Sequence, residues 1–245
     1  MTGLHIVTAS LDPEKTEKYW GSWAKTWAEP RLTHHVIGVM GPVKAFLVGI
    51  EQAYDAGAEV VACLHDDLEI TEKFWDMRIE GALAADQRTL LCGFGGAKGL
   101  GSDDIYRTPY RLEQLARVDF ISNMRDAEAH GRRADWPEQV ACLDGFSLIG
   151  KAEFMLAQFR KFDKLGVVHH AYDSWLGATA WRAGGTVWYI PVACHHAGGM
   201  TAVGDPRFAQ WAADKFKVGG EREIRDHAHW MMYNDLRGVL PLRIR

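Results

Sequence analysis

Apolar runs alternate with segments of helical periodicity through the first half of the chain. The runs are short and bounded by Gly, Pro or Asp, which predicts buried strands. The predicted strands are Gly3–Ser10, His34–Val39, Glu59–Leu64 and Thr89–Phe94. Apolar residues between them recur at intervals of three and four, which predicts the helices Asp12–Trp27, Gly41–Tyr54 and Thr71–Ala85. This alternation is typical of an α/β fold, in which helices cover a sheet.

The second half resumes the alternation after two irregular stretches. The glycines of Gly93–Gly101 predict a loop that is either flexible or folds closely over a ligand. Residues 102–138 are polar and mixed in charge, which predicts an insertion over the active face. The remaining predicted elements are strands at Val140–Ile149 and Thr186–Cys194 and helices at Lys151–Phe162, Ala171–Ala183, Arg207–Phe216 and Glu221–Tyr233. We therefore expect one α/β domain in which helices cover a sheet, with a helical extension over residues 205–245 packed on it.

Composition narrows the choice of partners and compartment. The 245 residues include 28 basic and 32 acidic side chains, a formal net charge of −4, which gives no electrostatic reason for sequence-independent nucleic-acid binding. The four cysteines form no C-x-x-C pair and lie in or beside apolar runs, which indicates free, buried thiols in a reducing compartment. No apolar run is long enough for a membrane span. We expect a cytoplasmic protein without a transmembrane anchor.

Two adjacent carboxylates, Asp66 and Asp67, follow the apolar run Val60–Leu64 directly. Open α/β sheets bind nucleotides and phosphates at the carboxyl ends of their strands, and carboxylates there can hold a divalent cation. The alternative is a solvated acidic turn. Because the preceding strand is apolar throughout, the pattern favours a metal-assisted transferase.

Three further segments carry residues suited to chemistry. His195 and His196 follow the last predicted strand, where an imidazole can bind a metal, although a histidine beside a glycine turn is often a surface residue. Asp173 opens a predicted helix and is either its N-cap or an ionised general base. Asp144-Gly145 is either a tight turn or part of an acceptor site. Trp175 can stack on a sugar ring or belong to the core.

In their order along the chain, these motifs resemble those of nucleotide-sugar glycosyltransferases of the GT-A fold, especially the inverting family-2-like group. The resemblance covers about residues 3–200 and rests on four motifs. They are His65-Asp66-Asp67, the Asp-Gly-Phe segment Leu143–Ile149, the segment Tyr172–Leu176 with Arg182–Gly185, and the strand Val187–His196. The resemblance implies a single Rossmann-like GT-A domain over residues 1–204, with a mixed, mostly parallel central sheet flanked by helices. This domain would use Mn²⁺ or Mg²⁺ and a nucleoside-diphosphate sugar donor.

The resemblance also implies a role for each candidate residue. Asp67 and His195 would bind the metal, with His195 preferred to His196. His65 stands where the family has the first acid of Asp-x-Asp. The residues expected to bind the nucleotide sugar are Thr8, Ala9, Ser10, His65, Asp66 and Lys98, the last from a closing loop. Asp144, Gly145 and Trp175 would bind the acceptor, and Asp173 would remove the proton from its hydroxyl in a single displacement with inversion.

Several alternatives stay open at this point. Val39–Pro42 lacks the acidic, Ser-containing turn that helps the family recognise the nucleoside, so a UDP-sugar is a default. The acceptor can be a glycan, a lipid-linked saccharide, a protein, a small molecule or a modified DNA base, and the oligomeric state is undetermined. A metal-dependent phosphohydrolase or nucleotidyltransferase also needs clustered carboxylates. A non-catalytic nucleotide-sugar binding module is the third class.

Overall fold

A computed structural model of the chain describes residues 3–39, 41–101, 111–116, 118–120, 132, 134–196, 210–211, 213–215, 217 and 220–244. Its strands are β1 Leu4–Ser10, β2 Thr33–Ile37, β3 Val60–His65, β4 Leu68–Ile70, β5 Thr89–Gly93, β6 Gly95–Leu100, β7 Arg111–Ala116, β8 Val118–Phe120, β9 Glu138–Gln139, β10 Cys142–Leu143, β11 Ser147–Lys151, β12 Thr186–Tyr189, β13 Cys194–His196 and β14 Leu242–Arg243. Its helices are α1 Pro13–Thr26, α2 Pro42–Asp55, α3 Trp75–Ala85, α4 Ala152–Lys164, α5 Tyr172–Arg182 and α6 Gly220–Asp235.

The main sheet has seven strands in the order β2-β1-β3-β11-β5-β12-β9. β1 is parallel to both β2 and β3, and β5 is parallel to β12. β11 runs antiparallel between β3 and β5, and β9 is antiparallel at the edge. The predicted α/β architecture with a mixed, mostly parallel sheet is therefore confirmed.

Helices bury both faces of this sheet. Along β3, Val61 and Cys63 belong to one core cluster, whereas Ala62 and Leu64 belong to the other. Successive side chains of a strand point to opposite faces, so a strand buried on both sides reads as one continuous apolar run. The first cluster includes residues of α2, α4, α5 and α6, and the second includes residues of α1 and α3. This arrangement leaves the strand ends as the places where polar side chains collect.

The predicted glycine loop at Gly93–Gly101 is wrong, because β6 occupies Gly95–Leu100. β6 pairs antiparallel with β7, β10 and β14 in a second sheet. A Cβ at Gly96 would lie 2.6 Å from the carbonyl oxygen of Cys142, and one at Gly95 would lie 2.8 Å from Cε1 of Phe146. These glycines allow neighbouring groups to approach the strand backbone closely, so they serve packing and not flexibility.

Two predicted strands are each divided in the structure. Val140–Ile149 becomes β10, a turn at 144–146, and β11 in the main sheet. Thr186–Cys194 becomes β12 in the main sheet and β13 in a third, three-stranded sheet with β4 and β8. Periodicity alone missed both divisions, because the residues on either side of each break are equally apolar. Both divisions lie next to candidate site residues.

The tail packs on the core through α6. Ala228, Met232 and Leu236 join the first core cluster, and β14 extends the sheet of β6. The predicted helix at Arg207–Phe216 is described only at 210–211 and 213–215, which are helical, and the rest of it lies outside the described residues. The domain division at residue 204 stays a prediction. Among the described residues, no helix combines the length and apolar character needed to span a bilayer.

Candidate metal and catalytic site

The carboxyl ends of β1 and β3 lie side by side, with Ala9 opposite His65. β1 pairs with β2 on one side and with β3 on the other, so the direction in which the chain adds strands to the sheet reverses between β1 and β3. Open α/β sheets bind ligands at the carboxyl ends of strands where the strand order reverses in this way. The Ser10 hydroxyl donates a hydrogen bond to Oδ2 of Asp66, which joins the two strand ends. The structure thus brings together the predicted nucleotide-binding residues of β1 and Asp66.

A second strand pair, β4 with β13, places an imidazole next to Asp67. After Asp67 the chain enters β4, which pairs antiparallel with β13 so that His196 lies opposite Leu68 and His195 opposite Glu69. Because side chains alternate across a strand, only one of the two histidines can face Asp67. Nε2 of His196 lies 3.0 Å from Oδ1 of Asp67. The structure therefore brings His196, and not the predicted His195, to the acid.

His65 completes a group of three potential metal ligands. Its Nδ1 lies 3.9 Å from Oδ1 of Asp67, and the ligand atoms of His65, Asp67 and His196 all lie within 4.8 Å of one another. Two ligands that are each about 2.1 Å from one ion lie roughly 3–4 Å apart, so the group needs only small adjustments to bind a single ion. Sequence reasoning assigned His65 to the nucleotide sugar. The structure groups it with Asp67 instead.

An aromatic ring stacks on each of the two imidazoles. Phe46 stacks on His65 with ring centroids 6.2 Å apart, and Phe146 stacks on His196 at 4.9 Å. Burial lowers the pKa of His65, and the nearby His196 lowers it further. Nδ1 of His65 is buried and makes no hydrogen bond within the part of the chain that the structure describes. A neutral imidazole nitrogen in this setting suits a metal, so the residues present fit a divalent cation.

Asp173 is the second residue of α5, and the two residues before this helix have left-handed backbone. His170 has φ 61° and Ala171 has φ 56°, a conformation that non-glycine residues seldom adopt and that concentrates at functional sites. The Ser174 N–H donates to Oδ1 of Asp173 at 2.7 Å. The Arg111 guanidinium pairs with Oδ2 of Asp173. The N-cap alternative for Asp173 is wrong, because Ala171 is the N-cap of α5 and no side chain of the described residues caps the helix there. The ionised carboxylate is compatible with this geometry.

Arg111 links the two acidic residues of the predicted acceptor side. It donates through Nη1 to Oδ2 of Asp144 at 3.2 Å and through Nε to Oγ of Ser174 at 3.1 Å, in addition to its contact with Asp173. Burial acts to raise the pKa of Asp173, but Arg111 and the Ser174 N–H outweigh it and hold that pKa below its ordinary value. The Asp173 carboxylate is therefore ionised at neutral pH.

The turn Asp144-Gly145-Phe146 connects Asp173 to the three potential ligands. A Cβ added at Gly145 would lie 3.3 Å from Oδ2 of Asp173 and 2.9 Å from the Tyr172 hydroxyl oxygen, so glycine allows a close approach there. The next residue, Phe146, stacks on His196 and accepts a hydrogen bond from the backbone N–H of His65 at 3.0 Å. The acidic residue of α5 and the ligand group thus contact the two ends of one short turn.

Two predicted site residues have other surroundings. Lys98 lies on β6, where its Nζ is 2.8 Å from Oε2 of Glu138, so it is part of a sheet and not of a closing loop. Trp175 is fully buried, and its indole N–H donates to Oδ2 of Asp235 at 2.7 Å. Its ring packs against Phe162 with centroids 5.0 Å apart. In this structure Trp175 is a core residue and offers no surface for an acceptor.

Sequence reasoning preferred His195 to His196 and gave Arg111 no place at the site. A signal for His196 exists in principle, because pairing of Leu68–Ile70 with Cys194–His196 fixes which imidazole faces Asp67. Arg111 has no such local signal. It is one of several arginines in a polar stretch, and β7 reaches the site only because Leu100 of β6 pairs with Arg111.

No protein-family model and no characterised protein sequence matches the chain. Solved structures do resemble it. One is GalNAc-T7 with UDP, GalNAc and Mn²⁺, at 12% identity and TM-score 0.50, a match that covers 87% of this chain and 49% of that chain. Another is A197 from STIV, at 9% identity and TM-score 0.49, which covers 80% of this chain and 85% of that chain. This chain therefore spans about half of the GalNAc-T7 chain.

At such low identity, the likeness to GalNAc-T7 shows the fold alone. The fold of this chain is an α/β architecture like the GT-A domain of glycosyltransferases. It carries a group of two histidines and one aspartate that could hold a metal ion.

Proposed function

We propose that this chain is a metal-dependent glycosyltransferase, which transfers a sugar from a nucleoside-diphosphate sugar to an acceptor hydroxyl with inversion. A UDP-sugar is the default donor. One observation carries the proposal: the turn Asp144-Gly145-Phe146 connects the ligand group to Asp173 at one end of a GT-A-like sheet. A transferase of this kind needs a site for the donor diphosphate and, next to it, a base within reach of the acceptor hydroxyl that attacks the anomeric carbon of the donor sugar.

In this proposal His65, Asp67 and His196 hold a divalent cation, Mn²⁺ or Mg²⁺. When bound, the cation would offset the negative charge that develops on the departing nucleoside diphosphate. Ser10 and Asp66 would lie against the nucleotide, since they join the carboxyl ends of β1 and β3. The GalNAc-T7 structure, which contains UDP and Mn²⁺, supports this choice of ligand chemistry as an analogy of fold.

Asp173 would accept the proton of the acceptor hydroxyl as that oxygen attacks the anomeric carbon from the face opposite the leaving diphosphate. A carboxylate has about four acceptor positions, and the contacts with Arg111 and Ser174 use two of them. The carboxylate therefore keeps capacity for the hydroxyl. Arg111 would fix its orientation, and Asp144 would bind another acceptor hydroxyl.

A binding experiment tests the donor and metal requirement together. We expect UDP or a UDP-sugar to raise the melting temperature of the protein in the presence of Mn²⁺ and much less in its absence, because a ligand of the folded state stabilises it. Asp67→Asn should abolish the metal-dependent part of this shift. The control, Asp163→Asn, removes an acid that pairs with Lys44 at 3.0 Å on another face and should keep the shift. Nucleotide binding that is the same with and without Mn²⁺, and the same in the wild type and in Asp67→Asn, would argue against the proposal.

A second assay separates the transferase from the alternative enzymes. The chain is incubated with UDP-sugar and Mn²⁺, and free sugar, UDP, UMP and phosphate are followed. A transferase without its acceptor releases sugar and UDP slowly by hydrolysis, whereas a phosphohydrolase or nucleotidyltransferase breaks a phosphate bond and yields UMP or phosphate. Asp173→Asn should lower the release of sugar by about 100-fold or more while donor binding persists. A non-catalytic binding module would show no difference between this variant and the wild type.

A further inference from the structure

The side chain of Tyr172 lies beside Asp173 and has no role in the reaction proposed above. Tyr172 is the first residue of α5 and directly precedes Asp173. The residue is only 4% exposed, and its ring packs against Phe159 with centroids 6.1 Å apart. No described residue forms a hydrogen bond with its hydroxyl. A hydroxyl carried into the interior without a partner costs free energy, which indicates a role in binding.

Gly145 allows this hydroxyl and the Asp173 carboxylate to share one face of the turn. A Cβ at Gly145 would lie 2.9 Å from the Tyr172 hydroxyl oxygen and 3.3 Å from Oδ2 of Asp173. Both oxygens therefore lie within 3.3 Å of one point beside the backbone of Gly145. The side chain of the preceding residue, Asp144, is 38% exposed, so a ligand can approach this turn from solvent.

The two oxygens have complementary hydrogen-bonding roles. The Asp173 carboxylate is ionised, so it only accepts hydrogen bonds. Burial, together with the negative charges of Asp173 and Asp144, holds the pKa of Tyr172 well above its ordinary value, so the phenol stays protonated and can donate. A molecule with oxygens on two adjacent carbons can offer a hydroxyl proton to the carboxylate and an acceptor oxygen to the phenol. A lone hydroxyl group can satisfy only one of the two.

We propose that the Tyr172 hydroxyl binds the acceptor oxygen next to the one that Asp173 deprotonates, so that the acceptor is a vicinal diol, as in a sugar ring, and not a lone protein hydroxyl. The inference rests on the proposed function and narrows its acceptor class. The attacking oxygen gives its proton to Asp173 and bonds to the anomeric carbon, while the electron pair of the broken bond leaves with the diphosphate. Tyr172 donates to the neighbouring oxygen and keeps its own proton throughout.

The test lets two small alcohols compete for one donor. The protein is incubated with Mn²⁺, the UDP-sugar that it hydrolyses, and equal concentrations of ethylene glycol and ethanol, and mass spectrometry quantifies the two glycosides. Ethylene glycol has oxygens on adjacent carbons, whereas ethanol has one oxygen. We expect the wild type to prefer ethylene glycol by about fivefold or more per hydroxyl, and Tyr172→Phe to lose this preference. The ratio is taken within one reaction, so it does not depend on the amount of folded protein.

A second variant reaches the same hydroxyl from the turn. Gly145→Ala adds a methyl group 2.9 Å from the hydroxyl oxygen and should also abolish the preference. Gly81→Ala, whose Cβ has no neighbour within 4 Å, and Tyr54→Phe, at a residue that is 43% exposed, should keep it. A preference that survives Tyr172→Phe, or donor hydrolysis without any transfer to ethylene glycol, would overturn the inference and leave the proposed function intact. If no UDP-sugar is hydrolysed, or Asp173→Asn hydrolyses it as fast as the wild type, the proposed function fails and the inference fails with it.

Discussion

The guanidinium of Arg111 pairs with the carboxylate of Asp173 across 62 positions of sequence. The pair lies on the edge of the core, where the side chain of each residue is 12% exposed. Removing one partner of such a pair leaves the other charge uncompensated, so the two residues act as a unit. In the proposed reaction, Arg111 would thus set the protonation state and the orientation in which Asp173 meets an acceptor.

Arg111→Gln should raise the pKa of Asp173. In the wild type burial acts to raise that pKa, and Arg111 more than reverses the effect, so its removal leaves burial less opposed. Titration of ¹³C-labelled aspartate carboxyls by nuclear magnetic resonance, with Asp173→Asn to assign the signal, measures the change. Arg132→Gln is the matched control, because Arg132 pairs with Glu138 at the surface. An unchanged Asp173 titration in Arg111→Gln would show that another group sets the pKa.

The fold was predictable because its central strands are buried on both faces. β1, β2, β3 and β5 all appear near their predicted bounds, as do the helices α1, α2 and α3. A run such as Val60–Leu64 leaves few alternatives, since each residue belongs to one core cluster or the other. The breaks within Val140–Ile149 and Thr186–Cys194 had only weak signals, Asp144-Gly145 in the first and Pro191 in the second, because buried apolar residues flank both.

The candidate site was only partly predictable, for a related reason. Residues at strand ends, such as Asp66 and Asp67, follow from the position of the strand. His196 depends on register between two short strands, and a shift of one residue would exchange it for His195. Arg111 depends on where β7 pairs with β6. Such pairings are set by tertiary contacts that no local pattern encodes.

Gly96→Ala should destabilise the protein by about 1–3 kcal/mol, because the added methyl group overpacks the strand. It would lie 2.6 Å from the Cys142 carbonyl oxygen and 3.1 Å from Cγ2 of Val140. Gly81→Ala on α3 is the control, since a Cβ there has no neighbour within 4 Å. It should be neutral or stabilise the helix by up to about 1 kcal/mol. Urea unfolding measures both. If the two variants are equally stable, Gly93–Gly101 is better described as the flexible loop that the sequence predicts.

The stability of the protein should fall below about pH 6.5, in part through His170. Burial lowers the pKa of His170 from its ordinary 6.5 to about 4. The unfolded chain therefore takes up this proton first as the pH falls, so the free energy of unfolding is full above about pH 6.5 and decreases toward pH 4. His170→Asn removes the imidazole that takes up this proton, and asparagine tolerates the left-handed backbone at this position. Between pH 6.5 and pH 4 this variant should lose about 1–2 kcal/mol less free energy of unfolding than the wild type, after allowance for solvent screening.

Urea unfolding at several pH values checks this expectation. The control is His227→Asn on the exposed face of α6, which should follow the wild-type profile. A His170→Asn profile as steep as that of the wild type would assign the acid sensitivity to other groups.

Asp235 should determine whether α6 unfolds together with the domain. Its Oδ2 accepts hydrogen bonds from Nζ of Lys161 at 2.7 Å, from Nη2 of Arg182 at 3.0 Å and from the indole of Trp175 at 2.7 Å. The last two partners belong to α5, the helix that also carries Asp173. Asp235→Asn should therefore lower the free energy of unfolding by about 1–3 kcal/mol, since the charged acceptor of three donors is lost, one of them the indole N–H of the buried Trp175.

Asp226→Asn on the same helix is the matched control. Asp226 pairs with Arg222 at 3.8 Å and is 45% exposed, so its loss should change stability by no more than about 0.5 kcal/mol. If α6 is part of one cooperative unit, urea unfolding of Asp235→Asn shows a single transition at lower denaturant concentration and an unchanged slope. A separate early transition, with the rest of the chain as stable as before, would instead make α6 an independently detaching extension. The helix α5, which carries Asp173, would then not need α6 for its position.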